Sequence, residues 1–320
     1  MERLLKTTQA YRLMEKECAE NTFSHAYLLL FNDARNLRLS VKTFAKLFFL
    51  TDNECENERR EKLINEESFS DCLFYPADGK KLTVEDAESI KEESLLSPVE
   101  GKRKVFVLCD FAEATPQTQN KLLKLLEEPP HGVVFLLGAT TAFPVLATVL
   151  SRTKKLELLP FSLEDVTACL TRIYKNEYTM SALKLCAAAS GGVVGEAQNM
   201  LEGGYYSSLL ENAFSLALAE EHRLPQIFKT VGETKYKKEI LSLLRLIFRD
   251  ALMIKLQEEP YQKSVLLSAE KNKLQEVASR YSKKALLYAQ EAISQAELEV
   301  QFNAVFPQCV EVCLAKIRKK

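Results

Sequence analysis

The first half of the chain alternates short apolar runs with amphipathic segments, and this order predicts strands separated by helices. The apolar runs predict four buried strands, at Ala26–Phe31, Lys104–Asp110, Val133–Ala139 and Lys155–Leu159. Apolar positions at helical spacing predict helices over residues 2–20 and from Val41 to about Leu50. Because strands that alternate with helices form a parallel sheet covered on both faces, we expect an α/β domain over residues 1–160.

Capping residues mark where further helices begin. The segment Thr83–Asp86 has the pattern of a capping box and predicts a helix. The Thr115-Pro116 pair places proline at the first helical position and predicts a helix that stops before Pro129. The charged segment 52–71 predicts a surface helix with loops, and Phe143–Leu150 predicts a short helix.

Beyond Pro160 the pattern becomes helical throughout, starting with a capping signal at Ser162. Glycine pairs near 191 and 203 interrupt it, so we predict a small helical domain over 161–204 and an all-α domain over 205–320. The last domain carries wide apolar helix faces, with Ile240, Leu241, Leu243, Leu244 and Ile247 as one example. Such faces suit oligomerisation and suit an internal core equally.

Composition is that of a soluble globular protein, with 320 residues, 47% apolar, 27% charged and a net charge of −1. The near-neutral charge gives no general affinity for nucleic acid, so a DNA contact would need a local patch or partner subunits. No apolar run approaches the roughly 20 residues that span a bilayer. The charged start has no signal-peptide core, so we expect a cytoplasmic protein without a membrane partner.

A joined motif carries the most specific information. The segment Leu122–Pro130 reads Leu-Leu-Lys-Leu-Leu-Glu-Glu-Pro-Pro, and Leu150-Ser151-Arg152-Thr153 follows the next predicted strand. This pattern resembles the AAA+ core of the bacterial DNA polymerase III clamp-loader family, in which the same order of motifs ends in Ser-Arg-Cys. The resemblance implies an α/β AAA+ P-loop-type domain followed by a small helical lid and an all-α collar.

The same resemblance locates a nucleotide site after the first strand. Lys42 and Thr43 stand where a phosphate-binding loop has its lysine and its hydroxyl. Asn36 and Val41 replace the two glycines, and a β-branched residue resists positive φ. We therefore expect a vestigial loop, with functional nucleotide binding as the alternative.

The remaining nucleotide motifs depart from the family as well. Asp110 stays at the magnesium position, but Phe111 replaces the glutamate that would activate water, and Glu113 is out of register. A shifted role for Glu113 stays open. Thr140 occupies the first sensor position, whereas Glu196 stands where the second sensor is an arginine. We expect no bound ATP cofactor and no intrinsic ATPase activity.

Arg152, with Ser151 before it, matches the arginine that clamp loaders lend to the ATP of a neighbouring subunit. Such a finger can accelerate hydrolysis on the order of 10³–10⁵-fold. Thr153 replaces the usual cysteine of the motif. A surface arginine paired with an acidic neighbour is the alternative interpretation.

The cysteines bear on metal binding. Many relatives carry a four-cysteine zinc module, but only Cys55 and Cys72 lie in the corresponding region, and two thiols cannot complete a tetrahedral site. We expect no zinc, with a distant ligand such as His25 as the alternative. Cys309 and Cys313 are one helical turn apart, and we favour core packing over metal binding for them.

Together these motifs imply a delta-prime-like subunit that does not hydrolyse ATP but supplies Arg152 in trans. Its partners would be gamma/tau-like ATPase subunits and a delta-like subunit, with the sliding clamp and primed DNA reached through the complex. It would then be part of a DNA-directed DNA polymerase holoenzyme. The alternatives are an active gamma/tau-like motor ATPase and a standalone DNA-binding protein, the latter disfavoured by the net charge of −1.

Overall fold

The computed structural model describes residues 1–77, 79–232, 234–256 and 265–320. The chain divides into two compact units, Met1–Pro160 and Phe161–Lys320. The three-domain division at residues 160 and 204 stays a prediction.

A parallel sheet of five strands forms the centre of the first unit. The strand order is β2-β3-β4-β1-β5, and each neighbouring pair is parallel. The strands are β1 (Ala26–Phe31), β2 (Cys72–Tyr75), β3 (Lys104–Leu108), β4 (Val133–Ala139) and β5 (Lys154–Leu158). The bounds of β1 and β4 are those predicted, whereas β2 was not predicted. The expected strand to Asp110 stops at Leu108, because Asp110 turns into the left-handed region with φ 49°.

In the described part of the first unit, seven α-helices accompany this sheet. They are α1 (Glu2–Leu5), α2 (Gln9–Ala19), α3 (Leu37–Ala45), α4 (Glu54–Asn65), α5 (Val84–Ser94), α6 (Pro116–Glu127) and α7 (Ala147–Leu150). The capping box is confirmed, because the Thr83 hydroxyl accepts the N–H of Asp86 while the Asp86 carboxylate accepts the N–H of Thr83. The Thr115 hydroxyl likewise accepts the N–H of Thr118 at the start of α6.

Two predicted helices have different bounds in the structure. The helix expected from Val41 to Leu50 begins at Leu37 and ends at Ala45, where a 3₁₀ turn (Lys46–Phe49) continues the chain. The helix expected over 143–150 is confined to Ala147–Leu150, because Phe143 and Pro144 lie in a turn. The early start of α3 matters for the nucleotide site.

The core of the first unit lies on both faces of the sheet. All residues of β1, β3 and β4 are buried, as expected for central parallel strands. Phe106 of β3 and Phe135 of β4 stack with ring centroids 5.4 Å apart. The buried Asp71 carboxylate accepts the backbone N–H groups of Val99, Glu100 and Gly101, which fixes the loop that leads into β3.

The described part of the second unit is helical, as predicted. Its α-helices are α8 (Leu163–Tyr174), α9 (Met180–Ala189), α10 (Val194–Glu202), α11 (Tyr206–Leu218), α12 (Leu224–Val231), α13 (Lys237–Leu256), α14 (Lys271–Arg280), α15 (Lys283–Gln301) and α16 (Phe306–Arg318). Helix α13 packs against α11, α14 and α15. Its apolar face is buried in this packing, so Ile240, Leu241, Leu243, Leu244 and Ile247 form an internal core.

Candidate functional site

The segment expected to form a phosphate loop is helical in the structure. Asn36 is the N-cap of α3, and the helix begins at Leu37. Lys42 therefore lies in the second turn of α3 and not at a helix N-terminus. A phosphate-binding loop presents a curl of backbone N–H groups just before its lysine. Here those N–H groups belong to a helical turn, so this way of holding a phosphate is lost.

Val41 and Thr43 are engaged inside the protein. The Thr43 side chain is fully buried, and its hydroxyl donates to the carbonyl of Leu39 at 2.8 Å. Val41 is also fully buried and faces Gly138 of β4, where an added Cβ would lie 2.7 Å from Val41 Cγ1. Val41 is thus a packing residue of the α3–β4 contact, and the Thr43 hydroxyl is bonded within α3.

Lys42 belongs to a compact ion network with Arg38 and Glu67. Arg38 Nε and Nη2 each donate to a different Glu67 carboxylate oxygen at 2.6 Å. Lys42 Nζ lies 2.8 Å from Glu67 Oε1 and donates to the carbonyl of Asn65 at 2.9 Å. Arg38 also donates to the carbonyl of Pro76 at 3.2 Å. We call this cluster the Arg38–Glu67–Lys42 network.

The network holds its charges partly away from water. The side chains of Arg38 and Lys42 are each 16% exposed, and that of Glu67 is 24% exposed. The Arg38 guanidinium, and after it the Lys42 ammonium, hold the pKa of Glu67 below its ordinary value. A carboxylate from the chain itself therefore neutralises the lysine that would otherwise meet phosphate charge. Sequence reasoning named Lys42 but missed both Arg38 and Glu67.

The acidic motif after β3 keeps only one of its two carboxylates. Asp110 follows the strand in the left-handed conformation and caps a 3₁₀ turn (Phe111–Glu113). Phe111 is fully buried in the apolar core, so its position cannot accommodate a carboxylate facing a water molecule. Glu113 is exposed and pairs with Lys81 at 2.9 Å. The residues present do not fit a magnesium–nucleotide complex.

The two sensor positions lie in different units. Thr140 directly follows β4 and is half-buried at the carboxyl edge of the sheet, the edge where Asp110 follows β3. Glu196 is exposed on α10 of the second unit, in a hollow that Tyr205, Tyr236 and Glu239 also line. Burial raises the pKa of Glu239 above its ordinary value, and the nearby Glu196 adds to the effect.

Arg152 lies at the surface, just after α7, and is held by its own chain. Its Nε donates to Glu127 Oε1 at 2.6 Å, and its Nη2 donates to the same oxygen. Its Nη1 donates to the carbonyl of Thr148 at 2.7 Å and contacts the Ser151 hydroxyl at 3.2 Å. The Ser151 hydroxyl donates to that same carbonyl at 3.1 Å. Glu127, the first glutamate of the Glu-Glu-Pro-Pro motif, was not recognised from the sequence as a site residue.

The cysteines considered for metal binding differ in their surroundings. Cys55 is exposed on α4, whereas Cys72 is buried in β2. Cys309 and Cys313 are buried on α16, and burial raises the pKa of Cys313 to about 12. His25 Nε2 is 2.9 Å from the carbonyl of Leu126. The expectation of no zinc stays a prediction.

Within the ranges that the structure describes, no helix combines the length and the apolar character required to traverse a bilayer.

Comparison with known proteins shows similarity to subunits of bacterial DNA polymerase III. Residues 6–162 match the family described as DNA polymerase III, delta subunit. The DNA polymerase III subunit delta' of Bacillus subtilis is 23% identical over 78% of this chain and 78% of its own length. The subunit gamma of Buchnera aphidicola is 23% identical over 82% of this chain and 78% of its own length. The longer subunit tau/gamma of Haemophilus influenzae is 28% identical over 54% of this chain, which covers 26% of that protein.

Solved structures with overall similarity include a DNA polymerase III gamma subunit-related protein of Thermotoga maritima. It covers 97% of this chain at 17% identity, with a TM-score of 0.42. The predicted α/β class with a helical C-terminal part is confirmed by the parallel sheet of the first unit and the helices of the second. On its sequence matches, the chain is related to the delta' and gamma subunits of bacterial DNA polymerase III.

Proposed function

We propose that this chain is a delta-prime-like clamp-loader subunit that does not hydrolyse ATP and that supplies Arg152 to the ATP site of a neighbouring subunit. The observation that carries the proposal is the Arg38–Glu67–Lys42 network. It engages the only lysine of the nucleotide motif, while the arginine of the trans motif stays at the surface.

Three features support the loss of hydrolysis in the chain's own site. The loop that would wrap phosphates is the first turn of α3. The Thr43 side chain is fully buried, so its hydroxyl oxygen is not open to a magnesium ion. Phe111 fills the position of the water-activating glutamate and is part of the core. Each feature removes a different requirement of phosphoryl transfer, namely phosphate binding, magnesium binding and water activation.

Arg152 retains what a trans-acting arginine needs. Its side chain is 31% exposed, and its guanidinium is a planar, permanently charged fork that matches phosphate oxygens. Beside a neighbour's ATP, such a fork stabilises the negative charge that develops on the transferred phosphoryl group. The phosphate that Arg152 binds would belong to the ATP of a neighbouring subunit, because the residues at this chain's own nucleotide motif do not fit a nucleotide.

The proposal implies particular partners. The chain would join gamma/tau-like ATPase subunits and a delta-like subunit in a hetero-oligomer and would reach the sliding clamp and primed DNA through that complex. Its place in the cell would be the cytoplasm, with the rest of the DNA polymerase III holoenzyme. Its own contribution would be to hold neighbours in register and to complete one of their active sites.

The test is reconstitution of the complex with the ATPase subunits of the same organism. Arg152→Ala should lower the rate of DNA-dependent ATP hydrolysis by the contribution of one active site. The complex should still assemble, as measured by size-exclusion chromatography. Arg152→Lys should recover little, because an ammonium does not reproduce the fork. Arg59→Ala, which removes another exposed, carboxylate-paired arginine, is the matched control and should hydrolyse at the wild-type rate. A wild-type rate for Arg152→Ala would reject the proposal.

An active motor subunit is the competing function, and the sequence matches support it equally. The gamma subunit of Buchnera aphidicola matches at the same 23% identity as the delta' subunit of Bacillus subtilis. The two functions separate in the isolated chain. Micromolar binding of Mg·ATP with turnover that Lys42→Ala abolishes would establish the motor, whereas no binding at millimolar ATP supports the non-hydrolysing subunit.

A further inference from the structure

All three nitrogens of the Arg152 guanidinium make hydrogen bonds within its own chain. Two of its nitrogens donate to one oxygen of Glu127, and the third donates to the Thr148 carbonyl and contacts the Ser151 hydroxyl. A phosphate that binds the Nε and Nη2 edge of this fork in a bidentate manner must therefore displace an existing partner. The partner that most resembles phosphate oxygen is the Glu127 carboxylate, since both are anionic acceptors.

We infer that Glu127 is a positioning residue for Arg152. Its carboxylate binds the guanidinium in the place that a phosphate would take, and it releases the guanidinium when a neighbour's ATP binds. The inference rests on the proposed function, because it assigns Glu127 a role only in relation to a trans-acting Arg152.

The backbone around Glu127 keeps the carboxylate in a defined place. Glu127 is the last residue of α6, and Pro129 and Pro130 prevent the helix from continuing. An acidic side chain at a helix C-terminus faces the negative end of the helix dipole, which is unfavourable unless a cation lies beside it. Arg152 supplies that cation. The motif thus places one carboxylate where it requires a positive partner.

A second set of contacts keeps the guanidinium oriented without Glu127. Nη1 is bound at the end of α7, to the Thr148 carbonyl and beside the Ser151 hydroxyl. These contacts use Nη1, whereas a phosphate that replaces Glu127 would bind the edge formed by Nε and Nη2. Exchange of the carboxylate for phosphate therefore frees Nε and Nη2 while Nη1 stays in place.

The exposure of the pair makes the exchange feasible. The side chains of Arg152 and Glu127 are 31% and 43% exposed, so water screens their attraction. For an exposed pair of this kind, the equilibrium constant favours the paired over the separated state by a factor of roughly two to five. Glu127 should therefore raise the ATP concentration needed to engage Arg152 by about that factor and should not block it.

The test measures ATP hydrolysis by the reconstituted complex as a function of ATP concentration. Glu127→Gln should lower the half-saturating ATP concentration of the site that receives Arg152 roughly two- to fivefold, with the maximal rate changed less than about twofold. Glu128→Gln removes the same charge one residue away, and Arg152 makes its described contacts with Glu127, Thr148 and Ser151, so this control should behave as wild type. The double variant Glu127→Gln/Arg152→Ala should match Arg152→Ala alone.

The outcomes separate the inference from the function on which it rests. A slow Arg152→Ala complex together with an unchanged half-saturating concentration for Glu127→Gln would overturn the inference and leave the proposed function standing. A reduced maximal rate without a change in half-saturating concentration would overturn it too, since that pattern indicates a structural role. A wild-type rate for Arg152→Ala would overturn both.

Discussion

Replacing Glu67 by glutamine tests whether the Arg38–Glu67–Lys42 network stabilises the fold. The substitution keeps the size of the side chain but removes the charge that Arg38 and Lys42 share. Three short contacts are affected, two of 2.6 Å from Arg38 and one of 2.8 Å from Lys42. Two cations would then face each other without an anion between them.

The exposure of the three side chains sets the magnitude. Breaking a buried ion pair by removing one partner costs about 3–5 kcal/mol, whereas an exposed pair contributes about 0.2–1 kcal/mol. With side chains 16%, 16% and 24% exposed, the network lies nearer the buried limit. After a discount for the remaining solvent contact, we expect Glu67→Gln to lower the free energy of unfolding by about 2–3 kcal/mol.

Urea denaturation followed by far-UV circular dichroism measures this loss. Because the chain has two compact units, the unfolding curve is fitted with one and with two transitions. The midpoint of the transition that shifts is then compared between wild type and variant. Glu113→Gln is the control, since its pair with Lys81 is 60% and 74% exposed and should cost less than about 0.5 kcal/mol. Equal losses for the two variants would refute the argument that the network stabilises the fold.

Acidification should erase the same difference. The folded chain holds the pKa of Glu67 below its ordinary value, so the folded state binds this proton less readily than the unfolded state. The stabilisation is therefore fully present above the unfolded pKa of about 4.3 and is lost as pH falls through the lower folded pKa. The gap between wild type and Glu67→Gln should be constant from pH 6 to 8 and should narrow below about pH 4.3.

Three further substitutions probe neighbouring parts of the first unit, each by urea denaturation. Gly138→Ala should cost about 1–3 kcal/mol, because its Cβ would lie 2.7 Å from Val41 Cγ1, and Val41→Ala in the same chain should recover part of the loss. Asp71→Asn should cost at least about 2 kcal/mol, since an amide cannot accept all three backbone N–H groups that the carboxylate binds. Restoring both glycines with Asn36→Gly/Val41→Gly should destabilise the chain without micromolar Mg·ATP binding by calorimetry, because Glu67 still holds Lys42.

Local patterns in the sequence were sufficient for the central strands. Strands β1 and β4 are continuous apolar runs with polar neighbours, and their predicted bounds are those of the structure. Strand β2 has four residues and lies at the edge of the sheet, with only Cys72 buried, so its apolar signal is short. A short edge strand is stabilised mainly by hydrogen bonds to the adjacent strand. The local sequence pattern of the edge strand contains no information about that pairing.

The start of α3 was misplaced for a different reason. The segment before Lys42 was expected to form a phosphate loop, although its sequence contains a helical signal. Leu37, Val41 and Phe44 are spaced as i, i+4 and i+7, and all three are buried on one face of α3. The pairing of Lys42 with Glu67 spans 25 positions in the chain and has no such local signal.

The chain uses one chemical device twice, and exposure decides the consequence in each case. At the nucleotide motif, Glu67 holds two cations whose side chains are 16% exposed, so releasing them would leave poorly solvated charges. At the trans motif, Glu127 holds Arg152 with both side chains more than 30% exposed, so water compensates a released partner. The first pairing should persist for the lifetime of the fold, and the second should exchange with an incoming anion. On the proposed function, this difference in solvation is what allows a subunit with a closed site to remain useful to its neighbour.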